Sequence, residues 1–119
     1  MKVITIEHVA DEPNGSAFFT SNDVSHQRIV TDSKELRMNM MNFGKGVRNK
    51  FHSHTGDQIL IVTRGRGMVA TETEEREVTV GDVIVFPAGE KHWHGAADGC
   101  EFSHLTIQKK DGKTTQLED

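Results

Sequence analysis

The chain has 119 residues, enough for one domain with a single core and too few for two. Its net charge of −4, with acidic and basic residues interspersed, offers no basic face and argues against a nucleic-acid partner. Cys100 is the only cysteine, and no apolar run approaches the ~20 residues that cross a bilayer. We therefore predict a cytoplasmic protein with no disulfide and no contact with a membrane.

Short alternating segments dominate the chain and predict an all-β fold. Period-two alternation of apolar residues predicts strands at 3–6, 28–31, 36–40, 58–63, 67–71, 76–80, 82–86 and 102–107. Residues 34–41 also include good helix formers, but the spacing of Leu36, Met38 and Met40 favours a strand. Residues 109–119 are expected to form a polar tail. Short strands without a long helical pattern predict a barrel or a sandwich.

Two histidine-bearing segments carry the main functional signal. His52 and His54 are two residues apart, and such residues point to the same face of an extended strand. Gln58 begins the next apolar run, and His92 follows a Pro-x-Gly turn. Three imidazoles suit Zn, Cu, Fe, Ni or Mn better than Ca or Mg. The sequence therefore predicts a transition-metal site with three imidazoles and one amide oxygen.

The spacing within these two segments resembles the paired motifs of the cupin superfamily. The first segment has Gly46, five residues, His-x-His, three residues, Gln58, six residues and Gly65. The second has Gly81, five residues, Pro-x-Gly, two residues and His92. The resemblance implies one cupin domain over residues 1–119, a double-stranded β-helix or jelly-roll barrel whose core spans about 36–108. It also implies one divalent metal per chain, held in the barrel mouth by His52, His54, Gln58 and His92.

Gln58 departs from the pattern of most metal-binding cupins, which carry Glu at this position. With three neutral imidazoles and a neutral amide, a divalent metal keeps its full charge and becomes a stronger Lewis acid. The same neutrality disfavours higher oxidation states. The residue therefore favours proton transfer, addition or elimination over oxygen activation.

A closer resemblance covers about residues 51–108 and points to small cupins grouped with bacterial manganese-dependent hydroxynitrile lyases. Related cupins occur beside carboxymuconolactone decarboxylase-like proteins. The resemblance implies manganese, with Fe, Ni, Zn and Co left open, and a small carbonyl, hydroxy or cyanohydrin substrate. His94 and His104 match the family's pocket histidines, and either is a candidate general base. An iron or manganese dioxygenase and a non-catalytic protein that binds a metal or small molecule remain as alternatives.

Two further expectations concern the surroundings of the site. We expect Met38, Met40 and Leu60 to line an apolar substrate pocket, with ordinary filling of the barrel as the alternative for the methionines. We also expect a homodimer, because small jelly rolls leave strand edges exposed. The strand predicted at residues 3–6 is a natural element to pair with a second copy.

Overall fold

Ten β-strands and one 3₁₀ turn form the regular structure of the computed structural model, which describes residues 1–119. The turn spans Ile6–His8. The strands are β1 (Asp11–Pro13), β2 (Val24–Val30), β3 (Leu36–Phe43), β4 (His52–His54), β5 (Gln58–Thr71), β6 (Glu75–Thr79), β7 (Val83–Phe86), β8 (His92–Ala96), β9 (Phe102–Lys109) and β10 (Thr114–Gln116). None of its helical segments has the length and apolar composition that a membrane crossing requires.

The strands form two antiparallel layers that share β5. In the first layer the order is β1, β2, β3, β9, β5 and β7, and the pairing uses the first part of β5. In the second layer the later part of β5 lies between β6 and β8, and β8 connects through β4 to β10. Eleven buried apolar residues from both layers form the core. This architecture confirms the predicted all-β jelly roll.

The long strand β5 passes from one layer to the other at Gly65. The sequence predicted two strands here, at 58–63 and 67–71, whereas the structure has one continuous strand. Gly65 has a φ of +72°, and a Cβ atom added to it would lie 1.9 Å from the carbonyl oxygen of Glu101. Glycine alone adopts this conformation at low cost and leaves room for the neighbouring backbone.

The register of β3, β9 and β5 arranges the inward-facing side chains in rows, because directly paired residues share a face. The rows run from an apolar end to a polar end of the barrel. In that order they are Phe43–Phe102, Met41–His104–Val62, Asn39–Thr106–Leu60 and Arg37–Gln108–Gln58. The polar end is therefore the end at which the predicted ligand Gln58 lies.

The outward face of the same layer is also apolar. Its rows are Val83–Ile61–Leu105–Met40 and Val85–Ile59–Ile107–Met38. Val83 and Val85 are 59% and 58% exposed. Met38 and Met40 belong to this outward face, which corrects the expectation that they line the pocket. Alternation along β3 turns Asn39 and Met41 inward in their place.

Both ends of the chain differ from their predicted structure. Residues 3–6 form no strand, and the turn that follows is held by the Gln27 side chain, which donates to the carbonyl oxygens of Ile6 and Val9 at 2.9 Å. At the other end, the expected polar tail contains β10, which pairs with β4. Its register sets Thr114 opposite His54 and Gln116 opposite His52.

Candidate metal centre

Two neighbouring strands bring the three predicted histidine ligands together. His52 and His54 lie on β4, and His92 on β8 pairs directly with His52. One ring nitrogen from each of the three lies within 4.8 Å of the other two. His52 and His92 are almost completely buried, whereas His54 is half-buried. The spacing of such nitrogens suits a single bound ion.

Backbone carbonyl groups fix the orientation of two of these rings. Nδ1 of His52 lies 2.6 Å from the carbonyl oxygen of Lys50, and Nδ1 of His92 lies 2.8 Å from that of Glu90. A carbonyl oxygen only accepts hydrogen bonds, so each Nδ1 carries the proton. The lone pair of each neutral ring is therefore on Nε2, which is the arrangement found in metal-binding histidines.

The third ring, that of His54, is held by β10. Its Nδ1 lies 2.9 Å from the hydroxyl oxygen of Thr114. Its Nε2 is buried and has no hydrogen-bond partner. A buried polar atom without a partner is unfavourable, and a bound cation would satisfy it.

Gln58 adds an oxygen to the same cluster. Its side-chain nitrogen donates to Oε1 of Gln108 at 3.2 Å, which leaves Oε1 of Gln58 facing Nε2 of His92 at 3.1 Å. Both of these facing atoms are acceptors when His92 is neutral, so they do not form a hydrogen bond with each other. A cation bound by both would remove their repulsion. The residues present therefore fit a divalent metal held by three imidazoles and one amide.

Burial keeps these imidazoles neutral. It lowers the pKa of His52 to about 3, with a further contribution from the neighbouring His92, and it lowers the pKa of His92 to about 4. Burial also lowers the pKa of His54, and the charge of Arg37 acts in the same direction. Neutral rings keep the lone pairs that a metal requires.

His94 and His104 form a second group beside the three ligands. The amide oxygen of Asn49 accepts from the backbone N–H of His94 at 2.9 Å, so the Asn49 amide nitrogen is the atom 3.1 Å from His94 Nε2. That nitrogen donates, and the proton of His94 is consequently on Nδ1. His94 Nδ1 then donates to Nε2 of His104 at 3.0 Å, and His104 Nδ1 donates to the Leu105 carbonyl at 3.2 Å.

The two histidines differ in their access to the cavity. His94 lies on the cavity wall, whereas His104 is fully buried behind it and packs against Phe43 and Phe102. Burial, followed by the charge of His104, lowers the pKa of His94 well below its usual value, and burial lowers the pKa of His104 to about 4. Of this pair, His94 alone has a side chain that a bound molecule can reach.

A cavity of about 480 Å³ opens in front of the cluster. None of its lining residues is acidic, and none is a lysine or an arginine. They are Asn14, Ser16, Phe18, Phe19, Asn39, Met41, Asn49, His52, His54, Gln58, His94, Thr106, Gln108, Thr114 and Gln116. Leu60, expected on the pocket wall, faces inward but is fully buried in the core. The two residues paired in the same row, Asn39 and Thr106, line the cavity instead.

Sequence reasoning did not identify three residues that orient the site: Asn49, Gln108 and Thr114. Asn49 lies within the first motif, three residues before His52, and Gln108 is the direct cross-strand partner of Gln58. The sequence shows that Asn49 lies near the ligands. The hydrogen bonds of Asn49 and Gln108, however, form between strands that are far apart in the sequence. Thr114 lies in the segment that was expected to be a polar tail.

Comparison with known proteins places this chain in a family. A model described as a cupin domain matches residues 39–108, so the chain belongs to the cupin family. It is 47% identical over 73 residues to an (R)-mandelonitrile lyase of Granulicella tundricola. That match covers 60% of this chain and spans 56% of the length of the lyase.

Solved structures agree with this assignment. A cupin-like protein from Thermotoga maritima is 34% identical, with a TM-score of 0.85 and coverage of 94% of this chain and 89% of that one. The polyketide cyclase RemF from Streptomyces resistomycificus has a TM-score of 0.88 and coverage of 100% and 87%. At 15% identity, the similarity to RemF concerns the fold alone.

Proposed function

We propose that this protein is a metal-dependent lyase that breaks or forms a carbon–carbon bond beside a hydroxyl or carbonyl group of a small molecule. One observation carries the proposal: the three imidazoles and the Gln58 amide oxygen converge beside a cavity that no acidic, lysine or arginine side chain lines, and His94 lies on its wall. The similarity to a mandelonitrile lyase supports cyanohydrin cleavage as the form of this reaction.

The proposed cofactor is one divalent metal per chain, with manganese as the first choice. It would be held by His52, His54, Gln58 and His92. When bound, it supplies Lewis acidity toward an oxygen of the substrate, which makes a hydroxyl group easier to deprotonate. The neutral donor set leaves this acidity undiminished and gives no extra negative charge to stabilise an oxidised metal.

His94 is the proposed proton acceptor. Its Nε2 accepts a hydrogen bond from Asn49, so the Asn49 amide must release this atom before a substrate proton can be taken there. The Nδ1 proton of His94 already points at His104, and the pair can share the added positive charge. His104 therefore acts as a positioning residue, because it is fully buried and lies behind His94.

A cleavage assay tests the proposal. Protein loaded with Mn²⁺ should release benzaldehyde and cyanide from mandelonitrile, and metal-free protein should not. His94→Ala should keep its metal and lose this activity, while His26→Ala, a half-buried residue on β2 outside the cavity, should retain both. Absence of cleavage with any first-row metal would contradict the lyase proposal. Oxygen uptake in proportion to product would favour the alternative dioxygenase.

We also propose that the protein is a cytoplasmic homodimer. The support for the dimer is the apolar outward face of the first layer, where Val83 and Val85 are more than half exposed. A two-fold axis would pack this face against its own copy and cover both. Size-exclusion chromatography with light scattering should give twice the chain mass for the native protein and a monomer for Val85→Lys. A native monomer would contradict the assembly.

A further inference from the structure

Arg37 lies at the open end of the barrel, in the outermost inward-facing row. It pairs directly with Gln108 on β9, and Gln108 pairs directly with Gln58 on β5. Both glutamines line the cavity. Because paired residues share a face, Arg37 projects from the same side of the sheet as the proposed ligand Gln58.

The guanidinium group of Arg37 has no partner within the chain. Four of the other five arginines form ion pairs: Arg28 with Glu12, Arg48 with Glu118, Arg64 with Glu101 and Arg66 with Glu77. Arg37 forms neither an ion pair nor a side-chain hydrogen bond, and its Nε is buried without a partner. Arg37 is half-buried, and leaving its buried Nε–H donor unpaired is costly, which indicates that a ligand completes it.

The charge balance of the cavity indicates the sign of that ligand. No acidic residue lines the cavity, and the four proposed metal ligands are imidazoles and an amide, none of which can carry a negative charge there. A bound divalent metal would therefore keep its full charge and add to that of Arg37 at the entrance. The planar fork of arginine matches a carboxylate in a two-point contact.

A second unpartnered atom lies next to Arg37 on the same face. Oδ1 of Asn39 is buried and accepts no hydrogen bond, and Asn39 lines the cavity. An acceptor at this point suits a hydroxyl or N–H group. Arg37 and Asn39 are two residues apart on β3. One small molecule can therefore contact both the guanidinium group of Arg37 and Oδ1 of Asn39.

We propose that Arg37 binds a carboxylate of the natural substrate and that Asn39 accepts from its hydroxyl or N–H group. This inference rests on the proposed function, and it narrows the substrate class to small hydroxy or amino-bearing carboxylic acids and their derivatives that retain a carboxylate. Arg37 is then the residue that determines specificity for the charged substrate.

Direct binding measurements test the inference without turnover. Calorimetric titration would compare mandelate with its neutral analogue mandelamide, in metal-free and in Zn²⁺-loaded protein. Because a bound metal also attracts carboxylates, the comparison in metal-free protein measures the contribution of Arg37 alone. We expect mandelate to bind at least about tenfold more tightly than mandelamide in both forms, equivalent to about 1.4 kcal/mol.

Substitutions of Arg37 then test whether this residue causes the preference for mandelate. In metal-free protein, Arg37→Gln should abolish it and Arg37→Lys should restore part of it, whereas Arg76→Gln, on β6, should leave it intact. Equal affinity for the two ligands, or a preference that survives in metal-free Arg37→Gln, would overturn the inference. A preference that depends on Arg37 in a protein inactive toward every cyanohydrin would refute the lyase proposal while retaining the anion site.

Discussion

Nδ1 of His94 donates a hydrogen bond to Nε2 of His104 across 3.0 Å, and this contact joins the cavity wall to the barrel core. Its direction follows from Asn49, whose amide is oriented by the backbone N–H of His94. A residue of the first motif that is not one of the proposed ligands thus determines which nitrogen of His94 carries the proton. The lone pair that remains on His94 is the one beside the Asn49 amide nitrogen.

The first prediction concerns the tautomer of His94. In metal-free protein at neutral pH, ¹⁵N NMR should show a neutral ring with the proton on Nδ1. Asn49→Asp replaces the donor with an acceptor, so the ring should gain a proton at Nε2. Asn14→Asp, which changes another cavity residue, should leave the His94 signals in place. A native ring protonated on Nε2 alone would refute this assignment.

The second prediction concerns stability in acid. The pKa of His104 is lowered from 6.5 to about 4 by burial, so the unfolded chain binds a proton more readily than the folded one. The contribution to stability is full above pH 6.5 and is lost as the pH falls toward 4, by about 3 kcal/mol in total.

Urea unfolding at several pH values measures this loss. The free energy of unfolding falls as the pH is lowered, and His104→Gln should make this fall smaller by about 3 kcal/mol. His8→Gln, an exposed residue, serves as the control and should leave the fall unchanged. An identical pH dependence in native and His104→Gln proteins would contradict a neutral His104 in the fold.

Alternation along strands was enough to predict much of the fold and of the site. It placed His52 and His54 on one face of a strand, and it predicted the strand at 102–107 that the structure extends to Lys109. It failed at Met38 and Met40, because β3 has apolar residues on both faces. The outward face is apolar and the inward face becomes polar near the cavity, which reverses the usual assignment.

The remaining misses have a different physical origin. β10 pairs with β4 through backbone groups, and its exposed polar side chains give no hydrophobic alternation to detect. Gln58 and Gln108 meet across 50 positions of sequence, so their hydrogen bond depends on tertiary pairing. The alternation of residues 3–6 is a local pattern with no neighbouring strand to pair with.

The third prediction concerns the charge of the ligand set. Gln58→Glu adds a negative charge beside the three imidazoles and should tighten binding of Mn²⁺ by at least about tenfold, or about 1.4 kcal/mol. It should also slow any lyase reaction, because a less positive metal is a weaker Lewis acid. Gln116→Glu alters the cavity rim and should change affinity much less. Competition titration with a chelator would measure the Mn²⁺ affinity of both variants. Unchanged affinity in Gln58→Glu would exclude Gln58 as a ligand.

The fourth prediction separates two causes of destabilisation when a glycine is replaced by alanine: an unfavourable backbone conformation and a clash of the added Cβ atom. Gly65 and Gly99 have nearly equal φ values of +72° and +71°, but only Gly65 has a backbone oxygen where a Cβ would lie. Gly99→Ala should cost about 1 kcal/mol from its backbone conformation alone. Gly65→Ala should cost at least about 2 kcal/mol more, since β5 or the Glu101 backbone must move. Thermal unfolding compares them, and equal losses would contradict the close approach of β5 to Glu101.

Metal content tests the central claim most directly. Purified protein equilibrated with Mn²⁺ and then freed of unbound ions should contain about one metal ion per chain by elemental analysis. The double variant His52→Ala/His54→Ala should contain almost none, and His26→Ala should match the native protein. Circular dichroism would verify that the double variant keeps its β structure. If the folded double variant retained the metal content of the native protein, the metal centre assigned to His52, His54, Gln58 and His92 would be wrong.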